Sequence, residues 1–140
     1  MPTVFTRVIQ GELPGRFVWK DPDVVAFLSI APLKPGHTLV VPRREVDHWI
    51  DMDEALNAKV WAVSRNVAKG VAAAFPCTKV GVIVAGLEVL HTHVHVVPIT
   101  GMNDLDFDRQ DRNPDPRAMD EAAERLRAAL TKLGFAQATA

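Results

Sequence analysis

The stretch His91-Thr92-His93-Val94-His95-Val96-Val97-Pro98 carries three of the five histidines of the chain. The residues between and after the histidines are mostly β-branched, which is typical of a strand. Because side chains alternate between the two faces of a strand, the sequence predicts that His91, His93 and His95 share one face. A face made of three imidazoles indicates a site of chemistry and not packing alone.

The residues upstream of this stretch predict a sheet and a long helix. Runs rich in apolar and β-branched residues predict strands at 17–20, 24–30, 37–41 and 80–85, and the histidine-bearing strand is predicted at 89–97. The run at 80–85 is almost entirely apolar, which is typical of a central strand. Apolar positions from Glu54 to Phe75 follow helical spacing, and Pro76 ends that helix.

The two ends of the chain complete the predicted layout. Residues 5–10 predict one or two helical turns, and residues 100–114 predict a polar loop that is functional or mobile. Asp115 and Pro116 begin a second helix, which ends at Gly134, and residues 137–140 are expected to fray. This order of elements predicts an α+β fold with an antiparallel five-stranded sheet, one long central helix and a C-terminal helix.

The composition predicts one domain over residues 1–140, with the motifs in residues 5–98 and a loop and helix in 100–135. The chain has 140 residues, 48% of them hydrophobic, and a net charge of −1, which gives no sign of a general affinity for nucleic acid. The single cysteine excludes an internal disulfide and a cysteine-based zinc site. Without a secretory pattern or a long apolar run, we expect a cytoplasmic protein with no membrane partner.

A metal site is one chemistry that a row of imidazoles supports. Neighbouring histidines of such a row lie roughly 6.8 Å apart, so a His-x-His pair could share a zinc ion. His91 and His95 would lie roughly 13 Å apart, too far for all three to bind one ion. A third ligand would have to come from elsewhere, with His37, His48 and Glu88 as the candidates.

Nucleophilic catalysis by the central imidazole is the second chemistry. A histidine that is neutral near pH 7 attacks phosphorus when one ring nitrogen is free and the other is held as a donor. Histidines two residues away on the same face can donate hydrogen bonds to phosphate oxygens and stabilise the charge of the transition state. This chemistry assigns the attack to His93 and the supporting contacts to His91 and His95.

Four segments of the sequence resemble the histidine triad (HIT) family. His91 to Val97 resembles the signature His-φ-His-φ-His-φ-φ, where φ is apolar and Thr92 is a mismatch. The segment Lys34-Pro35-Gly36-His37-Thr38-Leu39-Val40-Val41-Pro42 is similar to the family's Pro-Gly-His-x-φ-φ-φ-Pro. Gly11-Glu12-Leu13-Pro14 resembles its Gly-Glu-φ-Pro, and Gly86-Leu87-Glu88-Val89 stands where the family carries Gly-Gln-x-Val.

The resemblance implies a HIT-like fold and a dimeric nucleotide-binding phosphohydrolase or nucleotidyltransferase. Substrates in that family are nucleoside phosphoramidates and dinucleoside polyphosphates, which are cleaved at the α-phosphate, and we expect a purine nucleotide here. Carried over, His93 is the nucleophile and forms a nucleotidyl-histidine intermediate. His95 and His91 contact the phosphate and order the site, and His37 supports the triad from the neighbouring strand.

Other residues fall where the family binds the nucleotide. The resemblance places Phe5, Val8, Phe27 and Ile30 in the apolar pocket for the base. Ser29 stands where the family usually has an aspartate that holds the ribose hydroxyls. Leu87 replaces the usual glutamine, and Glu88 stands where several members have serine or threonine near the leaving group.

The departures from the family pattern keep two alternatives open. Thr3 and Thr6 occupy the places of a Cys-x-x-Cys pair in some members and Glu45 the place of a histidine, so we expect neither their structural zinc nor another cofactor. The first alternative is a nucleotide-binding HIT domain with little or no turnover, favoured by the changes at Ser29, Leu87 and Glu88. The second is the metal-dependent hydrolase.

Overall fold

The fold is built from five strands and three α-helices, and the computed structural model describes all 140 residues. The helices are α1 (Val4–Ile9), α2 (Glu54–Ala74) and α3 (Pro116–Lys132). The strands are β1 (Phe17–Lys20), β2 (Val24–Leu28), β3 (Thr38–Pro42), β4 (Lys79–Ile83) and β5 (Val94–Ile99). Short 3₁₀ turns lie at Trp49–Asp51, Met102–Leu105 and Phe107–Arg109. The predicted α+β fold with a five-stranded antiparallel sheet is confirmed.

The two long helices begin and end where local chemistry predicts. Asp53 caps α2, since its side chain accepts a hydrogen bond of 2.8 Å from the amide of Leu56. The helix ends at Ala74, one residue before the predicted end and two before Pro76. Asp115 caps α3, and Pro116 is its first residue. None of the helices is both long and apolar enough to cross a membrane.

The sheet separates two apolar clusters of different size. Along β2, Val24, Ala26 and Leu28 face the larger cluster, while Val25 and Phe27 face the smaller one. The larger cluster packs the sheet against α2 and α3, and the smaller one packs it against α1. A strand buried on both faces is almost wholly apolar, as β2 is.

The strand order is β1-β2-β3-β5-β4, so the predicted central position of residues 80–85 is wrong. The strand β4 lies at the edge of the sheet, and Val82 keeps 47% of its surface exposed. The histidine-bearing strand β5 takes the interior position between β3 and β4. An apolar run shows that a strand is partly buried, but it does not show which neighbours the strand has.

Two further predictions differ from the structure. The strand β5 begins at Val94 and not at 89, because the amide and hydroxyl of Thr92 both donate to the carbonyl of Val46, each at 2.7 Å. His91 and His93 therefore precede the strand. The tail expected to fray pairs with β1 instead: the amide of Lys20 donates to the carbonyl of Gln137 at 3.0 Å. The amide of Thr139 donates to the carbonyl of Val18 at 3.3 Å.

Candidate active site

The imidazole predicted to be the nucleophile has one nitrogen engaged and one free. His93 Nδ1 lies 2.8 Å from the carbonyl oxygen of His91. A carbonyl oxygen only accepts, so Nδ1 carries the proton and Nε2 keeps its lone pair. The ring is 7% exposed and lines a cavity, and Nε2 has no hydrogen-bond partner. This is the protonation state that a nucleophilic histidine needs.

A chain of hydrogen bonds gives His95 the opposite tautomer to His93, with its proton on Nε2. The amide of Leu33 donates to His37 Nδ1 at 2.9 Å, so the proton of His37 is on Nε2. That nitrogen lies 2.9 Å from His95 Nδ1, which therefore accepts. The proton of neutral His95 is left on its Nε2, where it is available as a donor. His95 also lines the cavity, so a free acceptor and a free donor are present on adjacent imidazoles.

His91 and His37 are both buried and do not line the cavity. The Nε2 of His91 donates to the carbonyl of Pro42 at 2.7 Å, and its Nδ1 lies 2.6 Å from the hydroxyl of Thr3. The three histidines of the motif are therefore not equivalent. The backbone carbonyl of His91 orients His93, while the ring of His91 is buried beside the site.

The cavity beside His93 and His95 has a volume of about 320 Å³. The segment 85–89, which includes Leu87 and Glu88, forms one wall. A second wall is formed by residues of the segment 107–112, namely Phe107, Asp108, Gln110 and Arg112. The volume is in the lower part of the range typical of small-molecule sites.

The wall at 107–112 was missed as a site by the sequence analysis, which predicted only a functional or mobile loop for 100–114. Two contacts hold it against the loop that precedes β3. The side chain of Gln110 donates to the carbonyl of Ala31 at 2.8 Å, and the amide of Asp111 donates to the carbonyl of Pro32 at 3.0 Å. The ring of Phe107 lies 5.0 Å from that of His95 between centroids. The contacting residues are far apart in sequence, so no local sequence pattern predicts the contacts.

The residues assigned to the base pocket are only partly brought together. Phe5, Val8 and Phe27 pack in the smaller apolar cluster, and the ring of Phe5 lies edge-on at 4.9 Å from that of His93. They lie behind the imidazole and do not line the cavity. Ile30 is 80% exposed. Ser29 is buried, and its hydroxyl oxygen accepts from the amide of Ala31 at 3.3 Å.

The site holds its histidines in the neutral form. Burial, and then the neighbouring His95 and His93, lower the pKa of His37 to about 3. Burial, and then His93, lower the pKa of His95 to about 4. Burial is also the main cause that lowers the pKa of His91 and of His93. At pH 7 each ring therefore has one donor and one acceptor nitrogen.

The side chains at the corner of Thr3 and Thr6 do not fit a structural zinc. Glu45 Oε1 accepts from the Thr6 hydroxyl at 2.6 Å and from the Thr3 amide at 2.8 Å. With the contact between Thr3 and His91, the four residues satisfy each other. Zinc in proteins is held by thiolate, imidazole and carboxylate, so two threonines remove half of the required donors. In the whole chain, no three His, Cys, Asp or Glu side chains converge to hold an ion.

Comparisons with known proteins match the chain to one family. A family model described as HIT domain matches residues 10–102. An uncharacterised HIT-like protein of Borreliella burgdorferi is 35% identical over 102 residues, covering 68% of this chain and 73% of that protein. A Hit-like protein of Bartonella henselae superposes with a TM-score of 0.78 at 30% identity, covering 91% and 95% of the two chains. A zinc-bound histidine triad family protein of Mycobacterium smegmatis superposes with a TM-score of 0.80 at 28% identity, covering 93% and 94%.

Proposed function

Because the chain belongs to the HIT family, we propose that it is a nucleotide-binding phosphohydrolase or nucleotidyltransferase in which His93 is the nucleophile. The substrate is a nucleoside phosphoramidate or a dinucleoside polyphosphate, with a purine as the preferred base. The single observation that carries this proposal is the state of His93, whose Nδ1 proton is held by the carbonyl of His91 while Nε2 has no partner and the residue lines the cavity.

The reaction has two balanced steps at the α-phosphorus. First, the lone pair of His93 Nε2 attacks phosphorus, and the bond from phosphorus to the leaving nitrogen or oxygen breaks. The leaving group departs with that electron pair and takes a proton from water, which leaves a hydroxide. A second water then attacks phosphorus and gives its proton to that hydroxide, the bond from Nε2 to phosphorus breaks with its electron pair returning to Nε2, and the nucleoside monophosphate is released with His93 restored.

The neighbours of His93 stabilise charge at two points of this reaction. When Nε2 bonds to phosphorus the imidazole becomes positive, and its Nδ1 proton already lies on the carbonyl of His91. The free Nε2 proton of His95 is a donor for a phosphate oxygen, which becomes more negative in the transition state. His37 fixes that donor by holding the other nitrogen of His95. Each imidazole is thus oriented before substrate binds.

The charged side chains that line the cavity support roles in binding the substrate and in selecting the leaving group. Arg112 forms no ion pair within the protein and is available for a phosphate or carboxylate of the substrate. Glu88 and Asp108 line the same cavity with carboxylates, which disfavour a strongly anionic leaving group at their side. The apolar cluster of Phe5 and Phe27 lies behind His93, on the side proposed for the base.

The test is the release of AMP from adenosine phosphoramidate and from diadenosine polyphosphates. We expect release by the wild-type protein, a covalent nucleotidyl adduct in denaturing mass spectrometry, and a loss of kcat of at least about a thousandfold in His93→Ala. The matched control is His48→Ala, since His48 is exposed and lies outside the cavity. Equal AMP release by wild type and His93→Ala would exclude His93 as the nucleophile.

A nucleotide-binding protein with little turnover is the second candidate, and the carboxylates of Glu88 and Asp108 at the cavity favour it. They repel the phosphates on which the reaction depends. Calorimetric titration with AMP separates the two candidates. Binding of AMP together with no AMP release from any of these substrates would support the binding protein over the enzyme.

A further inference from the structure

The ring of His91 is fully buried, and both of its nitrogens are engaged. The carbonyl of Pro42 only accepts, so the proton of His91 is on Nε2, at 2.7 Å from that oxygen. Nδ1 then carries a lone pair, and the Thr3 hydroxyl donates to it at 2.6 Å. A hydroxyl has one proton, so this contact uses the whole donor capacity of Thr3.

The direction of the Thr3 hydroxyl is fixed by α1 and by Glu45. Its oxygen accepts from the amide of Thr6 at 3.1 Å, which leaves its proton for His91. The carboxylate of Glu45 accepts both the amide of Thr3 and the hydroxyl of Thr6. Because the Thr6 proton is used on Glu45, the Thr6 oxygen is the only competing acceptor for Thr3, and it lies farther away, at 3.3 Å.

The same corner is connected to His93 by two short routes. The carbonyl of His91 accepts the Nδ1 proton of His93 at 2.8 Å, so a displacement of His91 removes the acceptor that fixes the nucleophile. Next to Glu45, the carbonyl of Val46 accepts the amide and the hydroxyl of Thr92, each at 2.7 Å. The backbone between the two histidines is therefore tied to the segment that carries Glu45.

We propose that Thr3, Thr6 and Glu45 are positioning residues that hold the ring of His91 in one orientation and thereby preset His93 for attack. The effect on turnover rests on the proposed function, whereas the effect on His91 does not. Removing the Thr3 hydroxyl leaves a buried nitrogen without a donor, which is costly. The carbonyl of Pro42 still keeps the proton on Nε2, so the ring gains only by turning Nδ1 towards another donor, and that turn breaks the bond to Pro42.

The test compares Thr3→Val, which keeps the shape of the side chain but removes the hydroxyl, with the conservative variant Thr3→Ser. Nitrogen NMR of the histidine side chains in the full-length protein reports the protonated nitrogen and its hydrogen bond without substrate. In the wild type and in Thr3→Ser we expect His91 to show an Nε2 proton with the chemical shift of a hydrogen-bonded donor, and in Thr3→Val we expect that shift to be lost as the ring turns. The matched control is Ser64→Ala, which also removes one buried hydroxyl, hydrogen-bonded to Val60 at 2.8 Å in α2.

Kinetics provide a second readout that a merely structural role would not change. Because these residues do not line the cavity, Thr3→Val is expected to lower kcat by about tenfold or more with KM within about twofold, while Ser64→Ala changes neither. If Thr3→Val does not fold, Glu45→Ala replaces it, with a loss of about threefold and partial rescue by Glu45→Gln.

Three outcomes separate this inference from the proposed function. A Thr3→Val protein with unchanged nitrogen shifts of the His91 ring and unchanged kcat would overturn the inference. Equal losses of kcat in Thr3→Val and Ser64→Ala would overturn it as well, because they would reflect general loosening. If the wild type shows no turnover, the proposed function fails, and the NMR comparison alone decides whether the network positions His91.

Discussion

At the scale of single residues, the site depends on where four imidazole protons lie. Each proton is assigned by a neighbour that can only donate or only accept: an amide for His37, and a carbonyl for His91 and His93. His95 receives its assignment from His37. The arrangement needs neutral rings, because a second proton on any of them would turn an acceptor nitrogen into a donor facing another donor.

This neutrality predicts a stability that depends on pH. The pKa values of about 3 for His37 and about 4 for His95 lie below the ordinary value of 6.5. At a pH between the folded and the ordinary pKa of each histidine, the unfolded chain binds more protons than the folded one. The free energy of unfolding therefore falls as the pH falls below 6.5. Each of the two histidines contributes a loss of up to about 1.4 kcal/mol per pH unit.

Urea denaturation between pH 7.5 and about pH 5 measures this loss, in a range above most carboxylate titrations. We expect the slope to decrease in His37→Phe and to persist in His48→Gln, because His48 is exposed. A free energy of unfolding that stays constant over this range would contradict the neutral cluster.

At the scale of elements, the contact between α2 and α3 explains a glycine inside a long helix. Gly70 costs α2 helical propensity. It is buried, and a Cβ at this position would lie 2.5 Å and 2.8 Å from side-chain atoms of Leu130 and 3.1 Å from Leu126. Both leucines are fully buried. The glycine therefore permits the close approach of the two helices.

The variant Gly70→Ala is expected to lower the free energy of unfolding by about 1–2 kcal/mol, because overpacking outweighs the gain in helical propensity. Urea denaturation measures the change. Gly101→Ala is the matched control, since nothing lies within 4 Å of a Cβ there, and it is expected to stay within about 0.5 kcal/mol of the wild type. A Gly70→Ala protein more stable than the wild type would show that the helices are not in close contact at this position.

The elements that were predictable from the sequence are those with local causes. Helical spacing, Asp53 and Pro76 are all within or next to α2, and its bounds followed to within one residue. The start of β5 was not predictable, because the contact between Thr92 and Val46 that replaces strand pairing joins residues far apart in sequence. The edge position of β4 has the same origin, since strand order is decided by non-local contacts.

The candidate site also has a part that local sequence predicts and a part that depends on non-local contacts. The motif around His93 was visible in the sequence because its residues are adjacent. The wall at 107–112 was not visible, because only Gln110 and Asp111 contacting the loop before β3 bring it over the imidazoles. The burial of His91 was also beyond the sequence pattern, since strict alternation predicts three equivalent rings.

At the scale of the whole molecule, the two edges of the sheet differ. The outer edge of β1 is hydrogen-bonded to the C-terminal tail, through Gln137 and Thr139. The outer edge of β4 has no strand beside it, and Val82 is 47% exposed there. An uncovered edge is a template for pairing with another chain. We therefore propose that the homodimer expected from the family resemblance forms through β4.

The variant Val82→Lys tests this interface. Light scattering of the wild type is expected to give twice the chain mass of 15.4 kDa, and Val82→Lys is expected to shift the protein towards the monomer because a charge would be buried in the contact. Leu133→Lys is the control, since Leu133 is exposed to 48% at the end of α3, away from β4. A monomeric wild type at working concentrations would contradict the proposed dimer.

The pairing of the tail with β1 also limits the number of sheet edges to which another copy of the chain can add. A sheet with two open edges can add copies in both directions and grow into a fibre, whereas a sheet with one open edge is complete after a single addition. Residues 137–139 occupy one of the two edges, so the only symmetric assembly that edge pairing permits is a closed pair. Residues 137–139 therefore cover the edge at which a third copy would otherwise add.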